Sequence, residues 1–475
     1  MTLKREINMT EGNFKTLWKK VFLYSLPIIL VGVLEILFNT FDLITIEGKE
    51  GELAAAAVGA NAAFIALLTN VFIGLSTGEN VVMARHYGRN DSEGGEKCAS
   101  TGLLIAFIAG IIIALVGYFV TPSLLKVMQV EDSYFDLAVT YLQLYFFAMP
   151  FMAIYNFGSA TFRGMGDSTT PLIFLIIAGV VHIALDYLFV YGFNMSVQGV
   201  ALSNIIAYAL AAILVLLFLR YKKSFIKFRF KDIRFRRESA LEILKIGIPS
   251  ALEGMVFAIS NILLQSSVNT WGSKVVEANA DCENIENFVY TTTFCLAQGG
   301  AAFVSANYSI GKKKNVINLV KIIELNAFIV GLILGLIFLA LNRPLIYAYS
   351  GGKADEELYS LCFERLALLL STYFLCGMMD GITNSLRGMN KPLVPMLITI
   401  FFLCIFRVFW NFVVYSPDVG NPRHSTILLY VCYPISWVMS SLFQLLYLYI
   451  KRKKISKELE ENRITYQEKA TNPTC

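Results

Sequence analysis

Long apolar runs, broken by short polar clusters, set the pattern of this chain. The hydrocarbon core of a bilayer is about 30 Å thick, and roughly 20 residues of apolar helix cross it. Twelve stretches reach that length: 20–46, 54–82, 98–121, 134–160, 169–193, 197–219, 241–270, 280–306, 317–341, 357–384, 393–415 and 426–450. The second, eighth and tenth are the least uniform, because glycines and polar residues interrupt them. The pattern predicts an all-α polytopic membrane protein with twelve transmembrane helices.

The polar clusters between the runs are one-sided in charge. Lys15, Lys19 and Lys20 precede the first run, Arg85 and Arg89 follow the second, and Arg163 follows the fourth. The sixth is followed by a dense series: Arg220, Lys222, Lys223, Lys227, Arg229, Lys231, Arg236 and Arg237. Lys312 to Lys314, Arg387 with Lys391, and Lys451 to Lys454 follow the eighth, tenth and twelfth. Alternate loops hold few cations. Lys and Arg in short loops mark the cytoplasmic side, so both termini are expected in the cytoplasm of a multi-pass protein of a bacterial inner membrane. The basic linker 220–240 could also meet acidic lipid or nucleic acid. It reads first as a topology signal, and no nucleic-acid partner is expected. The expected segments are 1–19 (cytoplasmic), 20–219 (helices 1–6), 220–240 (linker), 241–450 (helices 7–12) and 451–475, a polar tail read as frayed or disordered beyond 455.

Composition sharpens this reading. Only 16% of the 475 residues are charged and 56% are hydrophobic, with a mean hydropathy of +0.60. A soluble chain carries about 25% charged residues. The first 20 residues are polar and the first run lacks a cleavage site, so no secretory signal is expected. Eight cysteines are scattered without a CxxC pair, as suits small core hydrophobes. Three histidines, His86, His182 and His424, do not suggest a His-based metal centre, and no cofactor is expected.

The chain repeats itself. Pro27 opens the first run and Pro249 the seventh. Ala84-Arg85-His86-Tyr87 ends the second, and Ala306-Asn307-Tyr308 the eighth. Arg163-Gly164-Met165 corresponds to Arg387-Gly388-Met389, Pro171 to Pro395, and Val190-Tyr191 to Val414-Tyr415. The five anchors keep their order at offsets of 221–224 residues. Two six-helix lobes are expected, entering the membrane in the same direction and related by a pseudo-two-fold axis along its normal. Transporters of this kind bind substrate between their halves. A two-lobed monomer suits a transporter better than a channel.

Charge inside a bilayer is expensive, and embedded ionisable groups are functional candidates by default. The first half carries Glu35 and Asp42 on run one, Glu79 on run two, and His182 and Asp186 on run five. Asp42 and Asp186 each lie 15 residues past a proline, Pro27 and Pro171. That is about 22 Å along a helix, so both are expected at one depth in the outer half of the membrane. Asn204, on the descending sixth run, falls near that level, and His182 is one turn from Asp186 on the same face. Together they could hold one proton or one Na⁺, or form a polar knot that fixes helix register. Burial and a like charge both favour a neutral carboxyl, so the pair suits loading and release of a proton. The second half has Leu264, Phe406 and Trp410 where the first has Asp42, His182 and Asp186, so a single coupling site is expected in the first lobe. The second half carries Glu253, Glu324, Asp380 and Arg407. Arg407 is expected to pair with Asp380. Glu35, Glu253 and Asp380 are candidate contacts for a cationic cargo.

These residues fall into a recognisable order. Leu26-Pro27, Asn39 and Asp42, then Gly74-Leu75-Ser76-Thr77-Gly78 leading to Ala84-Arg85-His86-Tyr87-Gly88, resemble the first two spans of multidrug and toxic compound extrusion (MATE) transporters. Arg163-Gly164-Met165-Gly166-Asp167 with Thr170-Pro171-Leu172, Ile248-Pro249-Ser250 with Gln265-Ser266, and Leu386-Arg387-Gly388-Met389 are similar to that family too. The resemblance covers roughly residues 15–450. It implies two six-helix lobes and antiport of organic cations or other amphiphiles against H⁺ or Na⁺. Asp42 matches the family's first-span aspartate, and Tyr141 a fourth-span tyrosine. His182 and Asp186 stand where the family often has Asn-x-x-x-Asp, and Asn204 where it often has Thr. Some members carry a carboxylate in the seventh span where this chain has Phe257, with Glu253 one turn earlier. Asp380 is likewise displaced from the usual tenth-span acid.

The expectation is a secondary antiporter for small organic, cationic or amphiphilic compounds, working in multidrug or xenobiotic export. Its coupling ion is H⁺ or Na⁺, with Asp42, Asp186, His182, Asn204 and Tyr141 forming the site. No metal other than a possible Na⁺ at Asp42 and Asp186 is expected. The alternative is a flippase for a lipid-linked or polysaccharide precursor. Such proteins usually have extra spans and a cationic cavity, whereas the groups here are acidic or neutral. No HExxH, nucleophile elbow or other catalytic cluster is present, so an enzyme is not expected.

Overall fold

The computed structural model describes residues 7–222, 224–416, 423 and 425–471. Lys223, His424 and Cys475 lie outside them. Twelve long helices follow the expected order: α1 Phe14–Glu50, α2 Glu52–Gly88, α3 Ser92–Val127, α4 Phe135–Gly164, α5 Thr169–Gly192, α6 Val197–Tyr221, α7 Arg237–Trp271, α8 Ser273–Ser309, α9 Lys313–Ala340, α10 Glu356–Gly388, α11 Leu393–Val413 and α12 Thr426–Lys469. A short helix, Asn342–Tyr349, joins α9 to α10.

Among the described residues, eleven of the twelve are long and apolar enough to cross a membrane by length and composition; α8 is not among them. It has the length, 37 residues. Its first half carries Lys274, Glu277, Asp281, Glu283 and Glu286, so composition alone does not mark it as a span, although it holds the eighth place in the expected order. The outward faces of the others are apolar. On α3, Ile108, Ile112, Leu115, Val116 and Phe119 are all exposed, at the spacing of one helix face. Such a stripe suits lipid, which leaves backbone polar groups to be satisfied inside each helix.

Local chemistry sets the breaks. The connection between α1 and α2 is Gly51 alone, at φ +83°. Asp91 caps α3, its Oδ1 accepting from Gly94 N at 2.9 Å, and Asp355 caps α10 through Leu358 N at 2.8 Å. In α4 a 3₁₀ turn at Phe146–Ala148 precedes Pro150, whose missing N–H loosens the helical ladder there.

The helices divide into two compact units. Ile7 and Leu30–Ala251 form the first, and Asn8–Ile29 with Leu252 onward the second. The cuts fall inside α1 and α7, two residues past Pro27 and two past Pro249, not in the linker. In the first unit α4 packs on α2 and α3, and α5 packs on α6. Gly110 of α3 lies against the backbone of Pro150, where a Cβ would have no room; small residues at such crossings let helices approach closely. The linker runs along α3: Ser100 Oγ donates to Asp232 O, Arg234 N donates to Ser100 Oγ (both 3.0 Å), and Lys227 N donates to Glu96 Oε1. Lys222 pairs with Asp167.

In the second unit α10 packs extensively on α8 and α9. The tail is a further correction. α12 continues as helix, and its end is docked on the turn between α8 and α9. Tyr308 Oη donates to Glu458 Oε2, Lys391 Nζ reaches Glu458 Oε1 at 2.8 Å, and Asn462 Nδ2 donates to Tyr308 O at 3.0 Å. Leu459 is buried between them. The polar residues that read as frayed are the ones that make these bonds. Gly311, at φ +69°, sits under this helix, and a Cβ there would collide with the Leu459 carbonyl. A non-glycine residue in the left-handed region costs about 1–3 kcal/mol. Gly311→Ala is therefore expected to lower the melting temperature in detergent and to expose the tail to protease. An unchanged melting curve with a protected tail would show that the docking does not depend on this glycine.

Candidate functional site

The first unit brings four of the predicted residues together around one point. Asp42 of α1, His182 and Asp186 of α5, and Asn204 of α6 are all buried, at 3%, 3%, 1% and 6% exposure. Asn204 sits a helical turn past Val200, whose carbonyl accepts one of its Nδ2 hydrogens at 3.0 Å. The same amide nitrogen donates to Asp42 Oδ2 at 2.9 Å. Ser203, one residue earlier, donates to Asp186 Oδ1. Each carboxylate is thus held by one oxygen, and its other oxygen turns inward.

Asp42 Oδ1, Asp186 Oδ2 and His182 Nε2 are buried atoms that make no hydrogen bond among the described residues. They converge. His182 Nε2 lies 3.2 Å from Asp42 Oδ1 and 3.6 Å from Asp186 Oδ2, and all three ligand atoms fall within 4.8 Å of one another. Gly179 leaves space for Phe38, whose ring meets His182 edge-on with centroids 6.0 Å apart and holds the imidazole in place. Buried polar atoms are normally partnered. Three that make no hydrogen bond among the described residues, all turned to one point, could share a proton or a cation between them.

Tyr141 of α4 is buried against Tyr145, ring centroids 5.8 Å apart, within electrostatic reach of Asp42 and Asp186. Glu35 is two turns before Asp42 on α1 and half-buried, with the Arg163 charge acting on it. Glu79 is fully buried; its carboxylate accepts from Thr161 Oγ1 at 2.9 Å and from Cys98 Sγ at 3.4 Å. Ser203 was not singled out from the sequence. A hydroxyl next to Asn204 in an otherwise apolar run was the available signal.

The second unit departs from expectation. Arg407 does not pair with Asp380. Its Nε donates to Ser436 Oγ at 2.9 Å, and its guanidinium lies over the Tyr433 ring, 4.4 Å from the centroid, with Phe257 at 5.9 Å. Aromatic faces near its own helix stabilise the charge. Glu253 is engaged within the protein: Arg387 Nη2 meets Oε2 at 2.7 Å and Thr399 Oγ1 donates to Oε1 at 3.1 Å. Asp380 is buried, with Oδ2 unpartnered among the described residues, and so are both oxygens of Glu324. A fully formed polar cluster went unnoticed in the sequence. Arg365 of α10 makes two parallel bonds to Glu286 of α8, at 2.9 and 3.0 Å, and also reaches Asn279. Its guanidinium stacks over Tyr430 of α12.

Comparison with known proteins agrees with this architecture. A family profile described as MatE matches residues 27–188 and 249–413. "Probable multidrug resistance protein YpnP" of Bacillus subtilis is 30% identical over 315 residues, 65% of this chain and 68% of that protein. "Probable multidrug resistance protein YoeA" of the same organism is 25% identical over 410 residues, 84% and 88% of the two chains. Among solved structures, a MOP superfamily transporter from Pyrococcus furiosus, described as having a binding pocket of reversed polarity, superposes with a TM-score of 0.85 at 20% identity, covering 96% of this chain and 99% of that one. An outward-facing multidrug resistance MATE transporter of the same superfamily gives 0.84 at 19% identity, covering 96% and 100%. With twelve helices in the family's order and the profile matching both halves of the repeat, this chain belongs to the MatE family of multi-pass membrane transporters.

Proposed function

We propose that this protein is a secondary active antiporter that exports small organic compounds, cationic or amphiphilic, in exchange for H⁺ or Na⁺. The single observation that carries this reading is the convergence of Asp42 Oδ1, Asp186 Oδ2 and His182 Nε2, each buried and without a hydrogen bond among the described residues. A bound cation or shared proton ties α1 to α5, with Asn204 and Ser203 fixing both carboxylates from α6. When it leaves, two carboxylates remain close together in a poorly solvated bundle and repel. Loading and unloading therefore change how tightly α1, α5 and α6 can pack. A transporter needs such a change if the ion gradient is to act on the protein. Tyr141, buried on α4 against Tyr145, is assigned to the site by this reading, and Glu35 is the better candidate for cargo, being half-buried where Asp42 is sealed. Relatives named as multidrug resistance or multidrug export proteins support the cargo class. The one-sided basic loops support a reading with both termini in the cytoplasm of a bacterial inner membrane.

The test is transport in proteoliposomes holding the purified protein. A fluorescent organic cation should move against an imposed pH gradient or Na⁺ gradient, and collapsing the gradient should stop it. No gradient-driven movement of any organic cation, together with transfer of a lipid-linked sugar, would replace this reading with a flippase.

A further inference from the structure

The coupling site differs from a plain carboxylate pair in one respect: it contains an imidazole nitrogen. From its geometry we infer that the Asp42–His182–Asp186 cluster is also a binding site for a divalent transition metal of the Zn²⁺ class, a ligand distinct from H⁺ or Na⁺. Ligands at about 2.1 Å around a tetrahedral ion stand about 3.4 Å apart. The two edges at His182 measure 3.2 and 3.6 Å, and the third ligand pair lies within 4.8 Å. The set is one nitrogen and two carboxylate oxygens. Mg²⁺ and Ca²⁺ prefer oxygen alone, whereas imidazole selects for Zn²⁺ and its neighbours. Three protein ligands leave the fourth position open, as in exchangeable rather than structural zinc sites.

The surrounding shell is that of a built site. Asn204 holds the outer oxygen of Asp42 and Ser203 the outer oxygen of Asp186, which orients the inner oxygens. Such outer partners usually alter metal affinity 10–100-fold. All three ligands are at least nine-tenths buried, so an ion here is shielded from competing water. A dication neutralises both carboxylates at once. Since it occupies the atoms assigned above to the coupling ion, it holds α1 against α5 and blocks exchange. This last consequence rests on the antiport reading; binding itself does not.

Titration calorimetry on the purified full-length protein, at fixed pH with ZnCl₂ and then with MgCl₂, tests the inference. The expected result is one saturable Zn²⁺ per chain and no saturable Mg²⁺. His182→Asn should weaken Zn²⁺ binding at least tenfold, and so should Asp42→Asn. The second candidate ligand pair is His86 with Asp91, Nδ1 to Oδ2 at 2.8 Å. His86→Asn should leave the titration unchanged. Co²⁺ gives a readout that needs no variant: visible absorption of a four-coordinate ion, bleached by added Zn²⁺. Absent binding, unchanged affinity in His182→Asn, or binding lost in His86→Asn would each overturn the inference. The outcomes separate the two readings. Coupled transport without Zn²⁺ binding removes the metal site alone. Zn²⁺ binding with full transport by Asp42→Asn removes the coupling assignment alone.

Discussion

Asp42→Asn and Asp186→Asn are each expected to reduce gradient-driven export in proteoliposomes at least tenfold while leaving a folded, monodisperse protein. The substitution keeps the shape of the side chain and removes its ability to carry charge. Asn204 can still donate to an amide oxygen at position 42, and Ser203 to one at position 186, so the bonds that hold α1, α5 and α6 together survive. What disappears is one of two inward carboxylate oxygens. A site with one acid cannot alternate between a neutralised and a mutually repelling pair, so the gradient loses its grip on the bundle. A tenfold loss corresponds to about 1.4 kcal/mol, a modest demand on a buried charged group. The measurement is initial export rate under a fixed gradient, normalised to protein in the vesicles. Wild-type rates in both variants would remove these residues from coupling. Loss of folded protein in both would show that the cluster is a structural knot.

The largest effect on stability is expected at Arg365. Arg365→Ala should destabilise the second unit by about 3–5 kcal/mol, the usual consequence of leaving one partner of a buried ion pair alone. Glu286 would lose both guanidinium bonds while remaining buried. Asn279 and the ring of Tyr430 would lose a shared partner. The expected readout is a marked fall in melting temperature in detergent. Replacing both members, Arg365→Met with Glu286→Leu, should recover most of it, because a buried pair is often no more stabilising than apolar residues of similar volume. A double variant as unstable as the single one would mean that the charges themselves are needed. A harmless Arg365→Ala would mean that the pair is solvated.

Much of this was legible in the sequence, for physical reasons. The runs of apolar residues report the solvent around them, and that solvent demands helices. The duplicated anchors, Pro27 with Pro249 and Arg163 with Arg387, report backbone events that survive divergence of side chains. The convergence of Asp42, His182, Asp186 and Asn204 followed from counting helix rise from a proline. Such counting gives depth, and depth decided that case. It does not give the direction a side chain takes around the helix, so Arg407 was matched with Asp380 when Tyr433 and Ser436 were nearer. The acids of α8 interrupted its run without hiding it: Glu286 is matched by Arg365, roughly 80 residues later and outside any local window. The tail was less legible: its polar residues suggested solvent, but Glu458 and Asn462 had partners far upstream that no local pattern reveals.

That docked tail has a consequence for biosynthesis. The turn around Tyr308 waits for Glu458 and Asn462, which lie 150 and 154 positions further along, and Asn307 beside it also donates to the Met9 carbonyl, 298 positions upstream. At about 5–20 residues per second on the ribosome, the wait is roughly 8–30 s. The second unit therefore holds one end open for the insertion of four more spans, and the segment that follows the twelfth closes it. A premature stop in this tail would leave every span inserted and the newest unit unfinished.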